Sequence, residues 1–349
     1  MSGDRVVADV RRVFADVEGV AERLRAARPE PGAGAAFQPM ATAEREDPVL
    51  AATRRERERV VGRGIDGLLK VARRREDDLD DAERFGMRAI VHLEGRPAIL
   101  VEDGDFGAPP PEWARLTERR AQIREVIARS GRVEVAGHVE LDWVGTASLV
   151  APGTLMTNRH VADEFCARKG ERWTFRQGMT PRIDFLAERG RTATFEFEIT
   201  ETIGIHEQHD LALLRVEAAS TDGRPLPEPL AVAASEPADL YDRDVYVVGY
   251  PAWDSRRNEP EPLRRIFADV YNVKRLQPGR AVGYSTMYSA LEHDCSTLGG
   301  NSGSPVVDLE TSTVIGLHFG GRYGVGNYAV PLWTLAADPL FARAGLNLR

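Results

Sequence analysis

Three short segments carry the residue types that a serine-based nucleophilic reaction needs. Ser302 stands in GGNSGSPVV at 299–307, among glycines and just before an apolar run. His160 stands in TNRHVA, and Asp210 opens the apolar stretch DLALL. A serine hydroxyl needs an adjacent base, and a carboxylate can hold the imidazole of that base in the useful tautomer. The three residues together predict attack by Ser302, proton transfer by His160 and support from Asp210.

Each of these assignments has an alternative in the sequence. Taken alone, GGNSGSPVV is also consistent with a tight structural turn between strands. Ser304 is the alternative nucleophile, although it lacks the preceding Gly-Asn pair. Asp163 and Asp184 compete with Asp210, which is favoured because it stands at the mouth of an apolar strand. His160 is alternatively a core histidine at the end of a strand.

A second histidine cluster raises the question of a zinc site. His206 and His209 stand in HEQHD. The zinc-binding H-E-x-x-H pair lies on one helix face, and HEQHD is one residue shorter than that motif and precedes a predicted strand. We therefore assign no metal and no cofactor to the chain.

The chain from Gly131 onward has the pattern that must position these residues. Short apolar or alternating runs, among them GTASLV, TATFEFEIT, DVYVVGY and VIGLHFGG, are separated by glycine and proline. About twelve short strands indicate an antiparallel sandwich or barrel system, with enough chain for two small barrels. This predicts His160 just after a strand–turn–strand unit and Ser302 in a turn before a strand.

These segments resemble those of the chymotrypsin-like (trypsin-fold) serine peptidases, in their bacterial trypsin-like and glutamyl-endopeptidase branch. The order and spacing of His160, Asp210 and Ser302 fit that family, and the resemblance covers about three-fifths of the chain, from Gly131 to Leu335. It implies an all-β double six-stranded barrel, preceded here by an α-rich N-terminal region. It also implies a serine endopeptidase that acts on polypeptide substrates through an acyl-enzyme intermediate.

The resemblance also gives the glycines of the nucleophile segment a role. The family's oxyanion hole uses the backbone N–H groups of the nucleophile and of the residue two before it, here Ser302 and Gly300. Donors aimed at a developing oxyanion are worth about 3–4 kcal/mol each in comparable enzymes. Many secreted members carry Asp before the nucleophile, paired with a newly cut N-terminus. This sequence has neutral Asn301 there, so activation by that ion pair is not expected.

The resemblance further implies a substrate pocket. In glutamyl endopeptidases, a histidine in a GIHWGG-like strand and a hydroxyl five residues before the nucleophile line the P1 pocket. His318 in VIGLHFGG and Thr297 in CSTLGGNS match these positions, which implies a preference for acidic P1 residues. Phe319 and Gly320 would offer backbone to an extended substrate. The alternative is that His318 is a packed strand residue behind a small apolar pocket.

The first 130 residues predict a separate region with little chemistry in it. The predicted organisation is an amphipathic helix, a linker, an α-rich accessory region with a short hairpin, and the peptidase domain, over 1–28, 29–43, 44–130 and 131–349. The hairpin is expected within 88–103, around Gly95-Arg96.

The first predicted helix carries an apolar stripe with heptad spacing. The stripe consists of Val6, Val10, Val13, Val17, Val20 and Leu24. Such a stripe is expected to be covered, either by its own domain or by a partner, which includes self-association or a regulatory protein.

Composition excludes several classes of function. The formal net charge of −8 argues against a nucleic-acid-binding protein, and no apolar run approaches the length of a membrane span. The first twenty residues carry charges throughout, unlike a signal peptide. Only Cys166 and Cys295 are present, which favours the cytoplasm with both thiols reduced.

Two further interpretations stay open at this point. The chain is alternatively a binding or scaffold module that keeps the peptidase fold without turnover, or the effector subunit of a larger complex. The presence of His160, Asp210, Ser302 and Gly300 together argues against the first of these.

Overall fold

The described residues of the computed structural model fall into two compact units. The residues up to Gly95, with Ile266, form the first unit, and the rest, from Arg96 onward, form the second. The structure describes residues 3–26, 48–170, 172–253, 266–322 and 326–349. The predicted linker over 29–43 lies outside them. Within these ranges, no helix combines the length and the apolar character that a bilayer crossing requires.

The first unit is a small helical domain. Its helices are α1 (Gly3–Val13), α2 (Val17–Ala26), α3 (Pro48–Ala72) and α4 (Asp81–Gly95). All six residues of the apolar stripe pack into the core of this unit, with partners that include Ile65, Leu68 and Met87. The stripe is therefore covered by its own domain, which was one of the two expectations.

The single amphipathic helix predicted over 1–28 is wrong in its middle. The helix stops at Val13 and restarts at Val17. Asp16 caps the second helix, because its Oδ1 accepts a hydrogen bond of 2.8 Å from the N–H of Gly19. The chain therefore turns between α1 and α2 while the stripe stays on the core side of both.

The predicted hairpin within 88–103 is also misplaced. Residues 88–95 continue α4, and the strands are β1 (Ile99–Glu102) and β2 (Asp105–Phe106). Met87, Ile90 and Val91 recur at helical spacing and are buried on the inner face of α4, so the helical period prevails over the β-branched composition. The two strands turn through Asp103 and Gly104, both at positive φ.

The second unit begins with this hairpin and two helices. After β2, the chain forms α5 (Arg115–Glu118) and α6 (Arg120–Arg129). The sequence had assigned residues 96–130 to the accessory region, whereas they pack in the same compact unit as the strands that follow.

Six strands of the second unit close into a first barrel. In chain order they are β3 (Ser130–Ala136), β4 (Trp143–Ala151), β5 (Thr154–Thr157), β8 (Thr180–Asp184), β9 (Glu196–Ile205) and β10 (Ala212–Val216). Between β5 and β8 the chain forms a short helix, α7 (Arg159–Asp163), and a hairpin of β6 (Cys166–Lys169) with β7 (Arg172–Phe175). Around the barrel the strands follow one another in the order β10-β5-β4-β3-β8-β9.

Six further strands form a second barrel. The strands are β11 (Asp244–Gly249), β12 (Arg275–Ser285), β13 (Ala290–His293), β14 (Pro305–Asp308), β15 (Val314–Arg322) and β16 (Gly326–Pro331), and a helix, α8 (Pro339–Ala344), follows. Their order around the barrel is β11-β14-β15-β16-β13-β12, and β11 pairs with β12 to close the ring. The β1–β2 hairpin adds to it, because Ile99 pairs with Leu276.

Three cores hold the second unit together. Each barrel has its own apolar interior, and a third cluster joins residues of both barrels with α6 and α8. The predicted double six-stranded barrel preceded by helices is thereby confirmed.

Candidate active site

His160 lies on α7, in the first turn after β5. Asn158, which precedes this helix, is fully buried and donates a hydrogen bond of 2.8 Å from Nδ2 to the carbonyl oxygen of Asp210. Arg159 donates to the carbonyl oxygens of His206 and His209. The loop that carries Asp210 is therefore fastened to the two residues that precede His160.

Asp210 makes two hydrogen bonds with His160. Its Oδ2 lies 2.6 Å from Nδ1 of the ring, and its Oδ1 accepts from the backbone N–H at 3.0 Å. Burial by itself would raise the pKa of Asp210, but the hydrogen bonds and charge of His160 outweigh it and hold the pKa below its ordinary value. The carboxylate stays ionised at neutral pH, and the half-exposed imidazole is held by Nδ1.

The turn around Ser302 requires glycine at two positions. Gly300 has a φ of +79° and Gly303 a φ of +88°. A Cβ at Gly300 would lie 2.4 Å from the carbonyl oxygen of Tyr250, and one at Gly303 would lie 2.0 Å from that of Thr146. Both the backbone conformation and the close approach of neighbouring backbone therefore exclude side chains here.

Hydrogen bonds to the first barrel bring this turn towards His160. The N–H of Thr146 on β4 donates to the carbonyl oxygen of Ser302 at 2.9 Å, and its hydroxyl donates to that of Gly300 at 2.8 Å. A Cβ at Gly145 would lie within 3.0 Å of both Val161, which follows His160, and the Ser302 carbonyl oxygen. The structure thus places the Ser302 turn and α7 against the same stretch of β4.

A buried pair of amides holds the turn on its other side. Asn301 and Gln277 are both inaccessible to solvent. Nε2 of Gln277 donates to Oδ1 of Asn301 at 2.8 Å, and Nδ2 of Asn301 donates back to Oε1 of Gln277 at 3.3 Å. The residue before the nucleophile is therefore held by a neutral amide pair. This agrees with the expectation that no ion pair forms at this position.

Two of the three alternative residues, Ser304 and Asp184, are buried. Ser304 is fully buried, and its Oγ would lie 2.0 Å from a Cβ on Gly249. Asp184 is buried and accepts from the N–H groups of Leu186 and Phe195. The carbonyl oxygen of Asp163 accepts from the Arg176 guanidinium. Among these, Asp210 is the residue that hydrogen-bonds His160, and Ser302 lies on the turn that contacts the same stretch of β4 as α7.

The predicted pocket residues lie on β15 and on the segment before the nucleophile. Phe319 stacks on Tyr328 with ring centroids 6.3 Å apart, and Gly320 is partly exposed beside it. Thr297 donates a hydrogen bond of 2.8 Å from Oγ1 to Oδ1 of Asn327. Asn327 was missed by the sequence reasoning, because it joins this group through the pairing of β16 with β13 and β15.

His318 is a buried residue in this structure. Its side chain is 2% exposed, and its Nδ1 lies 3.1 Å from Nε2 of His293, which is also buried. Burial, together with the charges of His293 and His160, holds the pKa of His318 well below its ordinary value. The imidazole is therefore neutral at pH 7, and one of its ring nitrogens is already occupied.

The described part of the chain contains no group of three or more His, Cys, Asp or Glu side chains arranged to hold a metal ion. His206 instead lies 3.2 Å from the carboxylate of Asp338.

Comparison with known proteins identifies a peptidase domain in the chain. The family of trypsin-like peptidase domains matches residues 145–317. A relative named as a probable serine protease of Lysobacter enzymogenes is 27% identical over 315 residues, which cover 79% of this chain and 80% of the relative. A glutamyl endopeptidase of Staphylococcus aureus is 26% identical over 194 residues, 54% of this chain and 50% of that protein. A solved serine endoprotease from Yersinia pestis is 16% identical with a TM-score of 0.43, covering 65% of this chain and 66% of that one.

The matched span contains the His160, Asp210 and Ser302 segments, within two closed six-stranded barrels. Residues 145–317 therefore form a trypsin-like peptidase domain, and the chain is a serine endopeptidase.

Proposed function

We propose that Ser302, His160 and Asp210 are the catalytic triad of this peptidase. The observation that carries the proposal is the double hydrogen bond between Asp210 and His160, at 2.6 Å and 3.0 Å. With Nδ1–H donated to the carboxylate, Nε2 of the neutral ring keeps the lone pair that accepts the proton of Ser302.

The reaction then follows from these positions. Oγ of Ser302 attacks the scissile carbonyl carbon while its proton passes to Nε2 of His160. The N–H groups of Gly300 and Ser302 stabilise the resulting oxyanion. His160 gives its proton to the leaving amine, which leaves an acyl-enzyme. A water molecule, deprotonated by His160, attacks the ester, and the proton returns to Oγ as the acid product leaves.

The test compares Ser302→Ala and His160→Ala with Ser304→Ala as the control. Each triad substitution is expected to lower kcat by several orders of magnitude, on the order of 10⁶ in a comparable enzyme, with the fold retained. Ser304→Ala should still react with a fluorophosphonate probe. A Ser302→Ala protein that cleaves peptides at the wild-type rate would refute the triad, and a wild-type protein inert to the probe would favour the binding-module alternative.

The proposal extends to substrate specificity, namely a preference for acidic P1 residues. It is supported by Thr297 and His318 beside the nucleophile turn and by a partial match to proteins named glutamyl endopeptidase. When Nε2–H of His293 donates to Nδ1 of His318, the remaining proton of neutral His318 is on Nε2, where a carboxylate can accept it. An incoming carboxylate also favours protonation of the ring and adds charge–charge attraction.

Cleavage of a peptide library tests this preference. His318→Ala should lower kcat/KM for Glu or Asp at P1 by about 2–3 kcal/mol, or roughly 30- to 150-fold, and much less for apolar P1 residues. An equal loss for all P1 residues would support the small apolar pocket with His318 behind its wall. Cleavage of the library mainly after apolar or basic residues would refute the acidic preference and leave the triad untouched.

We further propose that the N-terminal helical unit regulates the peptidase or recruits its substrates in the cytoplasm. The free, buried Cys166 and Cys295 support a reducing compartment. Because the apolar stripe is used inside the unit, a partner must bind another face. Size measurement of the full chain, with and without candidate substrates, tests for such complexes.

A further inference from the structure

The residues just before the nucleophile turn form one side of the proposed P1 pocket. We call Asp294–Thr297 the wall segment. Its outer side is fastened to β16, because Nδ2 of Asn327 donates to the carbonyl oxygen of Cys295 at 2.6 Å and Oδ1 of Asn327 accepts from Thr297 at 2.8 Å. The position of Thr297 therefore depends on how the whole segment is held.

A residue from far upstream also holds the wall segment, in addition to Arg280, whose backbone exchanges hydrogen bonds of 2.7 Å and 3.0 Å with Asp294. The Arg96 guanidinium donates from Nε to Oδ1 of Asp294 at 2.8 Å and from Nη2 to Oδ2 at 2.7 Å. The carbonyl oxygen of Arg96 accepts from Oγ of Ser296 at 2.6 Å. Side chain and backbone of one residue thus bind two positions of the wall segment, and the second of these lies six residues before Ser302.

The burial of Arg96 makes these contacts important for the position of the wall segment. The Arg96 side chain is fully buried, and its guanidinium lies 5.6 Å from the ring centroid of Trp113. A bidentate pair fixes distance and orientation together, which a point charge cannot do. Removal of the guanidinium would leave the largely buried Asp294 carboxylate without its counter-ion, although Oδ1 would still accept from the N–H of Arg280 at 2.7 Å. Such a state is costly, and movement of the segment would relieve it.

We propose that Arg96 is a positioning residue that sets the P1 pocket through the wall segment. This role rests on the proposed triad and pocket. Arg96 touches neither substrate nor reacting atoms; it acts through Asp294 and Ser296 on Thr297. It lies outside the matched peptidase span, which begins at residue 145, and it directly follows Gly95, the last residue of α4. The chain that leaves the helical unit is therefore bound at the pocket wall by its next residue.

Two kinds of substrate separate this role from a general structural one. A peptide must place its P1 side chain against the wall segment, whereas a small dialkyl fluorophosphate has no P1 side chain and depends only on the triad and the oxyanion hole. A displaced wall should therefore lower peptide cleavage and blunt discrimination between P1 residues, while it leaves phosphorylation of Ser302 nearly unchanged.

The experiment measures both reactions in the full chain for Arg96→Ala, Arg96→Lys and Asp294→Asn. The matched control is Arg115→Ala, because Arg115 also pairs with an aspartate of the second barrel, at 2.7 Å, but is more than half exposed. Arg96→Ala should lower kcat/KM for the preferred P1 peptide by about 10- to 100-fold, the loss expected from a misplacement on the order of 1 Å. The ratio of kcat/KM between preferred and disfavoured P1 residues should fall with it, and the inactivation rate should change by less than about threefold.

Two additions keep the result decisive. Methylguanidinium added to Arg96→Ala should restore P1 discrimination. Where Arg96→Ala does not fold, Arg96→Lys and Asp294→Asn keep most of the side-chain volume and should show the same split. Unchanged discrimination in the folded variants, or an equal loss in both reactions, would overturn the role of Arg96. A wild-type protein inert to the fluorophosphate would instead overturn the triad.

Discussion

Substitution of Gln277 by methionine should weaken catalysis more than binding. The side chain lies under the nucleophile turn, where it exchanges two hydrogen bonds with Asn301 at 2.8 Å and 3.3 Å. Gln277→Met nearly preserves volume and shape but removes both bonds. The Oδ1 atom of Asn301 then loses its donor at a position inaccessible to water.

The structure sets the size of the effect. A buried polar group left without its partner costs about 1–3 kcal/mol, and the second, longer bond contributes less, so about 2 kcal/mol is a fair value. If the whole of this roughly 2 kcal/mol acts on the geometry of the nucleophile turn in the transition state, kcat falls about 30-fold. Complete loss of one oxyanion donor, on the order of 10²–10³, is the upper limit. KM should change little, because the oxyanion exists only in the transition state and the tetrahedral intermediate.

Steady-state kinetics on one good peptide, with thermal unfolding in parallel, measures both consequences. Tyr246→Phe is the control, because this buried residue of the same barrel has a hydroxyl with no hydrogen-bond partner among the described residues. It should leave kcat unchanged. A Gln277→Met protein with lowered thermal stability but wild-type kcat would show that the amide pair serves the fold alone and would refute the reasoning.

Three further predictions concern backbone conformation, pH and the helical unit. Gly303→Ala should abolish peptide cleavage, because its Cβ would lie 2.0 Å from a backbone oxygen, whereas Gly104→Ala, at positive φ but in open space, should keep full activity; equal activity would refute the argument. Burial lowers the pKa of Lys274 from 10.5 to about 8, so the folded protein loses this proton before the unfolded chain does. Relative to Lys274→Met, the free energy of unfolding should therefore rise by about 1.4 kcal/mol per pH unit between pH 8 and 10.5 in denaturant titrations, and parallel curves would contradict this. Val13→Asp should destabilise the helical unit by at least a few kcal/mol, since the Val13 side chain packs in that core. Unchanged melting of the unit in calorimetry would contradict this.

The sequence alone predicted the fold and the segments of the proposed triad because both have local sequence patterns. The alternation of apolar residues predicted the barrels, and glycine at positions 300 and 303 marked a turn that only glycine can form. The same kind of reading failed at 88–94, where a run rich in apolar residues suggested a strand. There the spacing of Met87, Ile90 and Val91 was the better signal, because it matches one face of a helix.

The residues that hold the site were not predictable from their neighbours in the chain. Gln277 and Asn301 are separated by 24 positions, Arg96 and Asp294 by 198. An isolated glutamine in a strand or an arginine after a helix carries no local sign of its partner. Their pairing follows from strand order, namely β12 beside β11 and β13 and the β1–β2 hairpin against β12.

The neutral amide pair also bears on where such a peptidase can be controlled. An aspartate before the nucleophile would be a buried charge, stable only with a counter-ion supplied by a cut chain end. Asn301 has no charge to compensate, and Gln277 satisfies it from within the same barrel. The nucleophile turn is therefore expected to form without any cleavage event. By contrast, the proposed P1 pocket depends on the charged pair of Arg96 and Asp294, so a change at Arg96 should alter P1 recognition while the nucleophile turn still forms.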